Sequence, residues 1–293
     1  MGLRTNPSYR QRRLGLELRR MRDACGLSAA KAGAIVDISS AHMSHVETGR
    51  TGIPEVKLRA LASAYGCNNE GFIRALITMG KATGRGWWSA YKDVLGPHAL
   101  DLAELESSAR QCRSFQWLYI PGLLQTPAYT RALIECGEPD ADAALLDKYV
   151  TFRLQRQQVL TDGSLRFHAL IHETALHTQF VSPTVMRQQL EHLVEVALLA
   201  HVRIQVMPMK ARFVPVRFST PFVFFEGDVP ELSTVYVEHP VSPPFISEPR
   251  QVVDFSATFD GLCTVALPAI DTAAEHHTDL SSLGVIQHLL YSL

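Results

Sequence analysis

Apolar positions in residues 1–80 recur at helical spacing in short runs, each closed by a glycine, a proline or a capping residue. Leu14, Leu18, Met21 and Cys25 fall at i, i+4, i+7 and i+11, predicting a helix over Tyr9–Ala24 with one buried stripe. Arg10, Arg12, Arg13, Arg19, Arg20 and Arg22 occupy its remaining positions, and Gly26 ends it. Ser28 is the N-cap of a second helix carrying Ala32 and Val36, with Gly33 small enough for a close helix crossing. Asp37 stands where a tight turn asks for a residue tolerant of positive φ. Ser39 then caps a third helix that turns Met43 and Val46 inward. Gly49 stops it, Pro54 opens a fourth helix (Val56, Leu58, Leu61, Ala62, Tyr65), and a fifth runs over Glu70–Met79.

Beyond residue 80 the pattern changes twice. Residues 80–86 hold three glycines and no apolar period, which reads as a linker. Its glycines lack the G-K-[ST] ending of a phosphate-binding loop. Trp87, Trp88 and Tyr91 follow, an aromatic group expected to dock on a second domain. That domain should hold helices near 98–115 (Leu102, Leu105, Ala109, Cys112), 141–160, 183–200, 248–264 and 281–291. Strands are expected at 166–173, 202–208, 220–226 and 233–239, where β-branched and aromatic residues collect. The proline-rich stretch 240–249 should interrupt the sheet. The expected organisation is an all-α five-helix domain over 1–80, a linker and docking segment over 81–92, and an α+β domain with a small mixed or antiparallel sheet over 93–293.

Charge sharpens this division. The net charge is −1, but residues 1–86 carry 14 Lys and Arg against 6 Asp and Glu, while the remainder carries 14 against 23. A basic head on an acidic body suits a polyanion-binding domain joined to one with another task. No apolar run approaches the roughly 18 residues of a membrane span, and the basic N-terminus leads into an amphipathic helix rather than a secretion signal. The five cysteines are scattered and form no C-x-x-C pair, as in a reduced cytoplasmic protein without a zinc ribbon.

Residues 27–50 therefore read as helix, tight turn, helix, the arrangement that lays its second helix in a DNA major groove. Ser40, Ala41, Ser44 and His45 would face base edges, where serine donates or accepts, alanine meets a thymine methyl and histidine donates to guanine. Ser28, Lys31, Thr48, Arg50 and Thr51 would meet phosphates, which give affinity without sequence information.

The run Ser39-Ser40-Ala41-His42-Met43-Ser44-His45-Val46-Glu47-Thr48-Gly49-Arg50 resembles the lambda-repressor-like, Xre-type regulators, whose motif ends in a hydrophobic residue, Glu, any residue, Gly and a base. The resemblance implies that Glu47 is a structural acid paired with a helix 1 arginine. It also shows a departure: Ala29 stands where many members carry a glutamine that supports DNA contacts. Gly86-Trp87-Trp88 with Tyr91, Glu106-x-x-Ala109, Pro121-Gly122-Leu123-Leu124-Gln125-Thr126-Pro127-x-Tyr129 and Arg153-x-x-Arg156-Gln157 resemble the C-terminal domain of WhiJ-like regulators of actinomycetes. That likeness spans essentially the whole chain. It implies a transcriptional regulator paired, in an antitoxin-like way, with a small partner protein encoded nearby. Trp87, Trp88, Tyr91, Gln125 and Tyr129 are the candidates for binding it.

Enzymatic signatures are thin. His172-Glu173 with His177 falls short of H-E-x-x-H, and five positions on a helix turn the second imidazole about 140° away from the first. His276-His277, beside Glu275 and Asp279, reads as a solvated polar turn, and no G-x-S-x-G elbow occurs. The reading is a cytoplasmic, non-enzymatic regulator that binds double-stranded DNA as a homodimer, with no metal or cofactor. The alternative is a metabolite sensor with a small-molecule pocket in the second domain.

Overall fold

The computed structural model describes residues 3–211, 220–239, 245–272 and 281–293. Residues 240–244 of the proline-rich stretch, and Glu275, His276, His277 and Asp279, lie outside them. Contacts divide the chain into two units: Met1–Lys92 with Gly96–Leu105, and Asp93–Leu95 with Glu106–Leu293. The segment 81–92 thus clusters with the first unit, as does a stretch beyond the expected boundary at 93.

The first unit contains α1 (Tyr9–Ala24), α2 (Ala29–Ile35), α3 (Ser40–Glu47), α4 (Glu55–Ala64) and α5 (Glu70–Gly80). A 3-10 turn over Trp87–Tyr91 follows, and then α6 (Pro97–Ser108), whose residues up to Leu105 belong to this unit. Helix α1 corrects the single-stripe expectation. Tyr9, Gln11, Arg13, Leu14, Gly15, Glu17, Leu18 and Arg22 are all buried, while Cys25 is exposed. Its exposed positions form the narrow line instead, at Arg12, Leu16, Arg19 and Asp23. Helices α3, α4 and α5 all pack against it, so α1 is the axis of the bundle and its polar residues are enclosed with the apolar ones. Gly15 makes this possible, since a Cβ there would lie 2.4 Å from the Glu47 carbonyl oxygen of α3. Asp101 accepts the Tyr9 backbone N–H at 2.8 Å and pairs with Arg12 at 2.8 Å, placing a carboxylate at the positive end of α1. Val56, expected to face the core from α4, is 80% exposed.

The second unit is built on a six-stranded mixed sheet of order β3-β2-β1-β4-β5-β6. Its strands are β1 (Gln111–Gln116), β2 (Arg166–His172), β3 (Val202–Met207), β4 (Phe222–Glu226), β5 (Thr234–Val237) and β6 (Phe245–Ile246). Strand β1 pairs parallel with β2 and antiparallel with β4. The crossover from β1 to β2 carries α7 (Pro127–Gly137), α8 (Ala143–Arg156) and α9 (Gln158–Thr161). The crossover from β2 to β3 carries α10 (Pro183–Val196), as parallel neighbours require. Helices α11 (Pro249–Val265) and α12 (Ser282–Ser292) close the chain.

Two expectations fail in this sheet. Residues 98–115 are not one helix: it ends at Ser108, and Cys112 lies in β1. Because β1 is central, both its faces are covered. Arg113, Ser114 and Gln116 are buried with Cys112 and Phe115, so no polar alternation marks it as a strand. Arg113 is accommodated by stacking over Phe224, 4.3 Å from the ring centroid, and by bonds to Ser256 (2.9 Å) and Asp260 (3.2 Å). Nor does the proline-rich stretch simply end the sheet, for Phe245–Ile246 pairs with β5 as a two-residue edge strand. One face of the sheet is covered by α11, through Phe115, Leu170, Phe222, Phe224, Val235, Val252, Phe259 and Leu262. Burying each of these side chains contributes roughly 1.5–3 kcal/mol before entropy is counted.

Candidate nucleic-acid interface

Helices α2 and α3 are set by local chemistry that the sequence carries. Ser28 Oγ accepts the Lys31 N–H at 3.2 Å, and Ser39 Oγ accepts the His42 N–H at 3.1 Å, so both helices start on side-chain caps. Between them Asp37 adopts φ 51°, the positive value the turn requires. A Cβ on Gly33 would lie 2.5 Å from the Ile38 carbonyl oxygen, so the turn folds back directly over that glycine.

Helix α3 is anchored on one side. Met43, Val46 and Glu47 are buried. Glu47 takes two bonds from Arg22 of α1, at 2.5 Å from Nε and 2.9 Å from Nη2, and Arg22 Nη1 also donates to the Leu27 carbonyl at 2.7 Å. The hydrogen bond to Glu47 raises the Arg22 pKa, against the opposing effect of burial. The same surroundings push the Tyr65 hydroxyl up to about 12, chiefly by desolvation and then by the Glu47 charge. The helix-1 arginine implied for Glu47 is therefore Arg22.

The opposite side of α3 carries no large apolar group. Ser40, Ala41, His42 and Ser44 are exposed and His45 is half-buried. At about 100° per residue, Ala41 and His45 lie near the centre of this face, with Ser40 and His42 at comparable angles on its two margins. His42 was missed by the sequence reasoning, although the same helical wheel places it there. Around the face, Ser28, Lys31, Thr48 and Arg50 are exposed. Thr48 Oγ1 already donates to the Ser44 carbonyl at 2.9 Å. Thr51 differs from its expected place: it is buried, and its N–H donates to the His45 carbonyl at 3.2 Å. Two further cations stand nearby. Arg4 donates to the Gly49 carbonyl at 2.9 Å, and Lys57 reaches the Asp37 carbonyl at 3.4 Å.

Most of the α1 arginines do not contribute to this face. Arg13 and Arg20 pair with Glu17 at 2.9 and 2.8 Å, Arg19 with Asp23 at 3.5 Å, and Arg12 with Asp101. These arginines are engaged with acids of the same unit, so the head's surplus of basic charge lies mainly in its other cations.

In the second unit the Pro121–Tyr129 run is a tightly bonded loop. Gln125 Nε2 donates to the Ile120 carbonyl at 2.7 Å, and Gln157 Nε2 donates to the carbonyls of Gly122 (3.0 Å) and Gln125 (2.7 Å). Gln189 of α10 donates to the Leu124 carbonyl at 2.7 Å and accepts the Thr126 N–H at 2.8 Å. The Tyr129 hydroxyl accepts the Ile120 N–H at 3.2 Å, and burial raises its pKa to about 12.

Two family models match this chain: residues 99–275 match a domain of unknown function, DUF5753, and residues 13–71 match a helix-turn-helix domain. The first match covers more than half of the sequence. The chain belongs to the DUF5753 family. No curated protein and no solved structure matches it. The helix-turn-helix match supports a DNA-binding regulator, with that domain placed ahead of the DUF5753 domain. Among the described residues no helix is long and apolar enough to cross a membrane.

Within the DUF5753 domain, Gln125 (2% exposed) and Tyr129 (0%) hold the loop from inside rather than facing a ligand. Trp87, Trp88 and Tyr91 are half-buried in the first unit, with Trp87 edge-on to both neighbours at 5.9 and 6.2 Å. His172 ends β2, and Glu173–Leu176 is a 3-10 turn, so α-helical spacing does not describe the His172/His177 pair. Glu173 pairs with His177 at 3.5 Å and accepts the Met209 N–H at 2.7 Å. Among the described residues no three His, Cys, Asp or Glu side chains converge as metal ligands would.

Proposed function

We propose that this protein is an Xre-type, sequence-specific transcriptional regulator of the cytoplasm, acting by binding rather than catalysis. One observation carries the reading: α3 presents the small polar face Ser40–Ala41–Ser44–His45, while its other side is fixed to α1 by the buried Arg22–Glu47 pair. A surface free of bulk and mounted on a rigid strut suits base edges in a major groove. Lys31 and Arg50 supply phosphate contacts at its margins. One such helix reads only a few base pairs, so useful specificity calls for a homodimer on a repeated or palindromic site.

For the DUF5753 domain the proposal follows the WhiJ-like resemblance: it binds a small protein encoded nearby, and that binding modulates DNA occupancy. The second reading, a metabolite sensor, is favoured by an arginine near Gly122 that makes no ion pair among the described residues. Selection of duplexes from a random library by the full-length protein tests the DNA assignment. Enrichment of one motif is expected, with the preference at one position erased by His45→Ala. Retention of random duplexes alone, at low salt, would remove the regulator reading.

A further inference from the structure

Arg153 and Arg156, in the last turn of α8, converge on the backbone of Gly122. A Cβ added to Gly122 would lie 3.7 Å from Arg156 Nη2 and 4.0 Å from both Arg153 Nη1 and Arg156 Nη1. Both guanidiniums therefore border a stretch of chain with no side chain of its own.

The two cations differ in what neutralises them. Arg156 donates from Nε and Nη2 to the two Glu106 oxygens, at 2.7 Å each. Burial opposes its charge, but Glu106, with smaller contributions from Tyr236 and Glu238, outweighs burial and the pKa is raised. Arg153 has no such acid in contact among the described residues. Among the described residues its hydrogen bond goes from Nη1 to Gln125 Oε1 at 2.9 Å, a neutral oxygen that also accepts from Thr130 Oγ1 at 3.3 Å. Glu238 acts on Arg153 only from beyond ion-pair range and accepts from Gln116 Nε2 at 3.0 Å. Desolvation, and then the Arg156 charge, lower the Arg153 pKa to about 10. Yet Arg153 keeps accessible surface. Gly122, which both guanidiniums border, is itself half-exposed, so the site opens to solution along its bare backbone. Leaving such a charge uncompensated costs several kcal/mol, so the arrangement is incomplete as it stands.

We infer that Arg153, Arg156 Nη1 and the bare backbone at Gly122 form a carboxylate-binding subsite. The forked guanidinium matches a planar carboxylate, which takes two parallel N–H bonds. Charge balance selects a monoanion. Glu106 neutralises Arg156 at contact distance, while Arg153 is offset only at longer range by Glu238, whose charge also makes a dianionic phosphate a poorer fit. The inference deepens the effector reading of the DUF5753 domain and rests on it, but it is independent of DNA binding. The carboxylate belongs either to a small organic acid or to an acidic residue of a partner protein.

The test is titration of the full-length protein with sodium acetate, and with chloride and phosphate as controls, following the arginine Nε–Hε NMR signals. Acetate should shift the Arg153 signal saturably where chloride does not. Arg153→Gln should abolish the saturable response. Gly122→Ala, whose new methyl sits at ordinary contact distance and leaves the fold intact, should weaken it about tenfold by occupying the ligand's space. A glutamate-containing peptide binding far more tightly than both acetate and its glutamine counterpart would support the subsite and assign the acid to a partner. Binding no tighter than acetate would support it and assign a small acid. An acetate response matching that of chloride, an undiminished response in Arg153→Gln, or tighter binding of phosphate would overturn it. Saturable acetate binding that leaves affinity for a selected duplex unchanged would uphold the subsite and count against the effector reading alone.

Discussion

The two units bury the same chemical device and use it differently. In the head, Arg22 is bound through Nε and Nη2 to Glu47, and the pair fixes α3 so that its far side stays free. In the DUF5753 domain, Arg156 is bound through the same two nitrogens to Glu106, but a second arginine stands beside it with no acid in contact among the described residues. The first arrangement is electrically closed and its consequence is geometric. The second is electrically open, and what it lacks has the chemistry of a ligand. A buried ion pair by itself is weak evidence of function; what matters is which charge the pair leaves over.

The largest expected effects come from breaking each pair. Glu106→Ala should destabilise its unit by about 3–5 kcal/mol, because it strands a buried guanidinium, and Glu47→Ala should cost the head less, because Asp23 still stands 2.7 Å from Arg22. Urea unfolding of the full-length chain measures both. The comparison sharpens with two additions. The apolar double variant R22M/E47L should regain most of the lost stability, since neither charge is then left alone. Acetate should partly restore Glu106→Ala and leave Glu47→Ala unchanged. Equal rescue of both variants would mean that acetate acts nonspecifically and that the two pairs are equivalent.

A somewhat smaller effect separates the units by pH. His168 of β2 is edge-on to Phe259 and bonded to Gln205 at 2.8 Å. Burial lowers its pKa to about 4. A histidine in the unfolded chain titrates near 6.5. Between these values the unfolded chain takes up a proton that the folded domain refuses, so stability is lost as pH falls from about 6.5 towards 4. The loss should reach about 2–3 kcal/mol. Urea midpoints by circular dichroism at pH 7, 5.5 and 4.5 would show it, and His168→Gln should flatten the dependence over this window. A variant with the wild-type slope would assign the acid sensitivity elsewhere.

What could be read from the sequence follows the same contrast. The head's elements are local: caps at Ser28 and Ser39, a positive-φ residue at Asp37 and a stop at Gly49 each act within a few residues, so the helix-turn-helix is legible without tertiary information. The burial of Arg13 and Arg22 was not legible, because it depends on α1 being wrapped by three other helices. In the second unit, strands with one-letter signatures such as TVYV are recognisable, whereas QCRSFQ of β1 is not. Its arginine is balanced by Asp260, Ser256 and two aromatic rings brought from far along the chain. The candidate site divides likewise. The Pro121–Tyr129 and Arg153–Gln157 runs stand out as motifs, but only the fold shows that Gln125 and Tyr129 are buried and that Arg153 is bonded to Gln125 rather than, among the described residues, to an acid.

At the recognition face the effects are smaller and must be read on DNA. Removing a base-reading side chain costs roughly 1–3 kcal/mol at one base pair. His45→Ala should therefore lose affinity for the selected duplex while binding scrambled duplexes as before. His42→Ala, at the margin of the same face, serves as the internal comparison: a position-specific loss there would widen the reading surface to both margins of α3.

Arg50→Ala should have the mildest and most uniform effect. Arg50 is exposed, follows Gly49 at the end of α3, and makes no ion pair among the described residues. A phosphate contact releases condensed counterions, so losing one should reduce the slope of log affinity against log salt by about one. The loss should be the same on selected and scrambled duplexes, and it should vanish as salt rises. The α1 arginines give the contrasting case. Arg19, already paired with Asp23, should leave the slope unchanged when replaced by alanine. If Arg19→Ala flattens the slope as much as Arg50→Ala does, the charges of α1 act on DNA after all. The division between internal struts and an external reading face, on which the head's assignment depends, would then have to be redrawn.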